Sequence, residues 1–123
     1  MHFVIDAHAL LWNLEDSPKL SNLAGKTIAT AEKIFIPTIV LLEVQSILEK
    51  RQEQGKFSDL LGRIENQRKF AVYPLSIEVI KEFIPIGRIE MHDRIILATA
   101  KLLNASIITK DETISKFYPR VIW

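Results

Sequence analysis

The chain has no cysteine among its 123 residues. That absence excludes disulfides, thiolate zinc sites and cysteine nucleophiles together, and it leaves carboxylates and three histidines as candidate metal ligands. Glycine and proline are scarce, at four and five residues, and they nowhere gather into a linker; no fixed-period repeat or low-complexity tract is present either. Long apolar runs are also missing. Stretches such as Ile34 to Ile36 and Ile95 to Ala98 are short and interrupted, whereas crossing a bilayer takes roughly 20 apolar residues. No basic region precedes the first apolar stretch, and Asp6 interrupts that stretch, so a secretory signal is not expected and the cytoplasm is the expected location. Charge of one sign is lacking too. Sixteen basic and fifteen acidic residues sum to +1, which argues against a uniformly basic coat for nucleic acid but is compatible with a divided surface.

What is present is enough apolar residue for a core: 48% of the chain is hydrophobic and 25% charged, the balance of an ordinary globular protein rather than a disordered one. At this length a second domain would leave neither half enough apolar area to offset its ordering entropy, so one domain over residues 1–123 is expected. Five short runs rich in β-branched or aromatic residues read as strands: Phe3 to Ile5, Ile34 to Ile36, Ala71 to Tyr73, Ser106 to Ile108, and Val121 to Ile122. Between them lie helical spacings: Leu10, Leu11 and Leu14; Val40, Val44, Ile47 and Leu48; Phe57, Leu60, Leu61 and Ile64; and Ile96, Leu97, Ala100 and Leu103. Alternating strands and helices imply right-handed crossovers and a mostly parallel sheet covered on both faces, the α/β class. Gly55 reads as the stop of a helix running from Thr38 to Gln54, which makes Gln45 to Lys69 a helical hairpin. The stripe Phe57, Leu60, Leu61, Ile64 is core or a partner-docking surface, and Trp12 carries the same ambiguity.

Four acids stand at positions where chemistry is expected. Asp6 follows Phe3-Val4-Ile5 directly, so it lies at the carboxyl end of the first strand, where open parallel sheets place their ligands; it also fits the cap of the next helix. Asp111 lies just beyond Ser106 to Ile108 at the start of a short helix, and Thr109 with Glu112 matches a Ser/Thr-x-x-Glu capping box. Glu43 falls on the apolar stripe of its helix, three residues after Val40 and four before Ile47, where a carboxylate needs a partner or must snorkel to solvent. Asp93 stands three and four residues before Ile96 and Leu97 and opens another apolar face, as a first-turn aspartate or cap also would. Two acids after strand ends and two at the starts of helices on their inward faces can meet at one sheet edge. Four carboxylates that close repel one another and raise their pKa values unless a divalent cation neutralises them. Oxygen-only ligation suits Mg²⁺ or Mn²⁺ better than zinc. His8 and His92 neighbour two of the acids and read as structural or substrate-facing. Arg94 and Lys110, each beside an acid, are either phosphate contacts or solvated pairing partners.

Taken with their order, these segments resemble the PIN (PilT N-terminus) nuclease family. Val4-Ile5-Asp6-Ala7-His8-Ala9-Leu10-Leu11-Trp12 is similar to its opening strand and helix, and three further segments follow in the family's order. They are Pro37 to Val44 around Glu43, His92 to Ala100 around Asp93, and Ile107 to Glu112 around Asp111, with Val121-Ile122-Trp123 closing the chain. Within the family the likeness is nearest to VapC-type toxins of type II toxin–antitoxin pairs. Two positions depart from the pattern: Ala7 stands where threonine is common, and Glu90-Met91-His92 replaces an Asp-Pro-x run, which raises Glu90 as a fifth carboxylate. The resemblance implies an α/β/α sandwich around a five-stranded sheet, a Mg²⁺- or Mn²⁺-dependent endoribonuclease with RNA as substrate, a homodimer, and a cognate antitoxin that occupies the active-site groove. It also implies that Asp6, Glu43, Asp93 and Asp111 are the catalytic and metal-binding set. Two other readings compete: a receiver-like phosphoacceptor module, disfavoured because Asp6 lacks a second acid after the first strand and Pro37 follows Ile36, and a catalytically silent PIN-like binding scaffold.

Overall fold

The computed structural model describes residues 1–123. Five strands, β1 (Phe3–Ile5), β2 (Ile34–Pro37), β3 (Phe70–Tyr73), β4 (Ser106–Ile108) and β5 (Val121–Ile122), form one sheet in the order β3-β2-β1-β4-β5. Every neighbouring pair is parallel, so the mostly parallel sheet expected from the alternation is parallel throughout. β1 and β4 are buried at every residue. Strands covered on both faces need no polar alternation, which explains the unbroken Phe-Val-Ile and Ser-Ile-Ile runs. The edge strand β3, by contrast, has only Phe70 buried. The strand order differs from the 2-1-3-4-5 order of receiver modules, and the phosphoacceptor reading falls with it.

Seven helices connect and cover the sheet: α1 (Ala7–Leu14), α2 (Asn22–Thr30), α3 (Thr38–Lys50), α4 (Phe57–Glu65), α5 (Ile77–Phe83), α6 (Met91–Leu103) and α7 (Glu112–Phe117). A continuous core of 25 buried residues joins the sheet to α1, α2, α3, α4, α6 and α7, and a smaller cluster of Val79, Ile95 and Ala98 seals α5 against α6. Leu60 and Ile64 are buried within the main core and Phe57 packs against it, so the stripe of α4 is core. Two helices, α2 and α5, escape the apolar periodicity because α2 is built mostly of small and polar residues and α5 buries only Val79. Their starts are nevertheless signed by caps: Ser21 Oγ accepts the Ala24 amide at 3.0 Å and Ser76 Oγ the Val79 amide at 3.3 Å.

The stop of α3 differs from the expected one. The helix ends at Lys50, because Gln52 takes a left-handed conformation (φ 58°) and the Glu53 amide returns to the Leu48 carbonyl at 2.8 Å. That pattern closes a helix without glycine, and Gly55 falls instead in a 3-10 turn, Gln54–Lys56. Arg51 then reaches back to Glu15 with two hydrogen bonds of 3.2 and 2.7 Å, tying the α3–α4 hairpin to the end of α1.

Candidate active site

The chain leaves β1 toward β2 on one side and β4 toward β5 on the other, so the crevice beyond the carboxyl ends of β1 and β4 is the topological switch point where open α/β sheets bind ligands. Asp6 and Asp111 arrive there from the two central strands. Asp6 caps α1: its Oδ1 accepts the Ala9 amide at 2.9 Å, and its Oδ2 accepts a short hydrogen bond from the Thr109 hydroxyl. Asp111 caps α7, with Oδ1 accepting the Thr113 and Ile114 amides at 2.7 and 3.3 Å. Thr109 is therefore not the first residue of a capping box. Its buried hydroxyl accepts the Asp111 amide at 3.0 Å while donating to Asp6, so one threonine locks the two strand-end loops together.

Glu43 and Asp93 come from helices. Glu43 lies in the second turn of α3 rather than the first, and its Oε1 is buried without a hydrogen-bond partner. Asp93 sits in the first turn of α6, whose cap is Glu90: a Glu90 carboxylate oxygen accepts the Asp93 amide at 3.1 Å. The other Glu90 oxygen binds Nδ1 of His92. Glu90 as a helix cap was not legible beforehand, because glutamate is an uncommon cap and the usual signal residues are absent.

The electrostatics join the two halves. Burial pushes Glu43 up to about 7, with Asp93, Glu90 and Asp6 adding repulsion against the lowering effect of His92. Burial likewise lifts Asp93 to about 6, reinforced by Asp111, Glu90 and Asp6 and by a hydrogen bond with Asp111. Asp6 is also raised by burial, although Thr109 and the Ala9 amide oppose the shift. His92 is raised chiefly by its hydrogen bond to Glu90. Asp6 and Asp111 line one open pocket with His8, Trp12, Lys110 and Glu112; Glu43, Glu90 and His92 line an adjoining one, and His8 belongs to both.

Burial first, and repulsion among the carboxylates second, thus holds three acids back from ionising. No three Asp, Glu or His side chains stand close enough, as arranged, to ligate one ion. The donor chemistry nonetheless fits a hard divalent cation: the set is all oxygen, and the orphaned Glu43 Oε1 is a buried acceptor with nothing to accept from. Arg94 is engaged with the end of α5. Its Nε and one terminal nitrogen each donate at 3.0 Å, to the Phe83 and Ile84 carbonyls at the end of α5, and its guanidinium lies 3.9 Å from the centre of the Phe83 ring. Lys110 remains exposed, with its ammonium 5.9 Å from the Trp12 ring.

A parallel, three-layer α/β/α domain with an acid-lined switch point is the class that fold and site define. The profile of the PIN domain matches residues 3–118, and the chain belongs to that family. No curated protein matches the chain by sequence. Among solved structures, a VapBC2 complex from Rickettsia felis bound to a DNA fragment from its promoter superposes with TM-score 0.76 at 14% identity, over 98% of this chain and 96% of that one. A toxin–antitoxin complex from Klebsiella pneumoniae gives TM-score 0.71 at 20% identity, over 98% and 95%. Mycobacterium tuberculosis VapC20, described as a toxin that cleaves the sarcin–ricin loop, gives 0.71 at 12% identity, over 94% of both chains.

Proposed function

We propose that this chain is a Mg²⁺- or Mn²⁺-dependent endoribonuclease and the toxin of a type II toxin–antitoxin pair. The observation that carries the catalytic part is the buried, unpartnered Glu43 oxygen among carboxylates that burial and mutual repulsion hold back from ionising. Membership of the PIN family and the likeness to toxins of VapBC complexes support the rest. In this reading one catalytic domain occupies residues 1–123, works as a homodimer in the cytoplasm, and is silenced by a cognate antitoxin.

Asp6, Asp93, Glu43 and Asp111 would hold the cation, with Asp111 the most distant of the four. Bound there, a divalent ion lowers the pKa of a water and neutralises charge on the phosphate oxygens. The protein's own groups do the remaining work. Thr109 keeps the Asp6 carboxylate oriented and Glu90 holds the backbone start of α6. Glu43, with its buried Oε1 free of any hydrogen-bond partner, would either hold the cation or orient the attacking water. Because water rather than the ribose 2′-hydroxyl attacks, the products carry 5′-phosphate and 3′-hydroxyl ends. The test is incubation of purified protein with mixed cellular RNA and either metal or chelator, followed by end-group analysis. Metal-dependent cleavage leaving 5′-phosphates is expected. A folded protein inactive with both metals would instead favour the silent scaffold, a reading that the open spacing of the acids also accommodates.

A further inference from the structure

Beside the acids stands an aromatic and cationic cluster that phosphodiester hydrolysis does not require. Trp12 lies one helical turn after His8 on α1, and the two rings are 5.3 Å apart. Its indole also packs at 6.0 Å against Trp123, which follows β5. Lys19 and Lys110 each place an ammonium over the Trp12 ring, 5.9 Å from its centre. Trp12 is only half-buried, and it lines the same open pocket of about 410 Å³ as Asp6 and Asp111. A half-buried indole packed by two aromatic neighbours, with two exposed lysines whose ammoniums lie over its ring and would swing to a phosphate, has the parts of a single-stranded nucleic-acid site: a ring to stack a base and lysines to hold its phosphates.

Resting on the ribonuclease reading, we propose that Trp12, with Lys19 and Lys110, forms a base-stacking subsite that seats one unpaired nucleotide of the RNA beside the scissile phosphate. Charge selects this occupant over a peptide cation. A guanidinium stacked on Trp12 would sit against Lys19 and Lys110, whereas a nucleotide supplies the phosphate those ammoniums lack. The carboxylates of Asp6, Asp111 and Glu112 in the same lining keep phosphate away from that part of the pocket unless a cation is bound, which orders the strand with a base toward Trp12 and the reacting phosphate toward the acids. Trp12 is thus a positioning and specificity residue that reads the presence of an unpaired base, and duplex RNA, whose bases are already stacked, is a poor ligand for it.

The experiment is a cycle between protein and substrate. Steady-state cleavage of a single-stranded oligoribonucleotide with Mg²⁺ is measured for wild type, Trp12→Ala, Trp12→Phe and Lys110→Ala, with an abasic ribose placed in turn at each position around the cut. With wild type, one abasic position should lower kcat/KM roughly 5- to 150-fold, the range for one base–aromatic stack. Trp12→Ala should lose as much on the intact strand and then be indifferent to that abasic site. Trp12→Phe should recover most of the loss, and Lys110→Ala should weaken all substrates equally with a shallower salt dependence. If Trp12→Ala, with an unchanged circular dichroism spectrum, cleaves like wild type, or its losses multiply with those of every abasic position, the subsite is refuted while the nuclease stands. Displacement of RNA from Trp12 by an arginine peptide that leaves Lys110→Ala unaffected would reassign the surface to a protein partner. Wild-type inactivity on every strand would instead refute the nuclease reading, and the subsite with it.

Discussion

The two halves of the acidic site are built on different terms. Asp6 and Asp111, at the ends of β1 and β4, are already employed by the fold: each caps a helix, and Thr109 ties one loop to the other. Glu43 and Asp93, on α3 and α6, hold no helix end; Glu43 keeps an oxygen without a partner, and Asp93 leans on Asp111. The strand-end pair is therefore oriented whether or not a cation binds. The helix pair, like Asp6, is held back from ionising chiefly by burial, and either a proton or a bound cation would relieve it. Preorganisation comes from the first pair and responsiveness from the second.

The sharpest way to break this contrast is to neutralise each half. Asp93→Asn should abolish cleavage, a loss of roughly 100-fold or more in kcat, as expected when a charged group in a metal set is removed, yet leave the thermal midpoint of the metal-free protein unchanged or higher. Asp6→Ala should lose activity and also cost about 0.5–2 kcal/mol of stability, because a helix cap goes with the carboxylate; chemical denaturation measures it. A smaller effect follows from pH. Glu43 titrates near 7 in the fold against an ordinary 4.5, and Asp93 near 6 against 3.8. Between those values the folded state binds more protons than the unfolded one, so these groups favour the fold at low pH and withdraw that support as pH rises toward 7. The metal-free melting temperature should accordingly fall across that window, less steeply in Glu43→Gln, and saturating Mg²⁺ should remove the slope. Smallest of all, Glu90→Gln should bring the His92 pKa, followed by NMR, back down toward its ordinary value with little loss of stability.

From sequence Asp6 and Asp111 read as readily as helix caps, which both are, whereas Glu43 and Asp93 stood out because an acid on an apolar stripe needs a partner. All five strands and the apolar stripes of α3, α4 and α6 announced themselves through burial on a recognisable period. What stayed hidden lacks that signal. α2 is built mostly of small and polar residues and α5 buries only Val79, so neither shows a stripe, and Gln52, rather than Gly55, ends α3 by adopting a backbone conformation that glutamine seldom takes. Thr109 looked like a cap because its spacing to Glu112 fits one, but spacing along the chain cannot show that Asp6, 103 residues away, is the nearer claimant of its hydroxyl. The same limit applied to Arg94, whose role as a clamp on the end of α5 depends on a contact across two helices.

The central claim is that the four acids are one divalent-cation site. Calorimetric titration of Mn²⁺ into the protein near pH 6.5, repeated in buffers of different ionisation enthalpy, tests it directly, since ligands that resist ionisation must release protons when metal binds. Saturable binding with net proton release, lost in Asp93→Asn and diminished in Glu43→Gln, is the predicted result. Absence of binding, or binding without proton release that both variants retain, would contradict it.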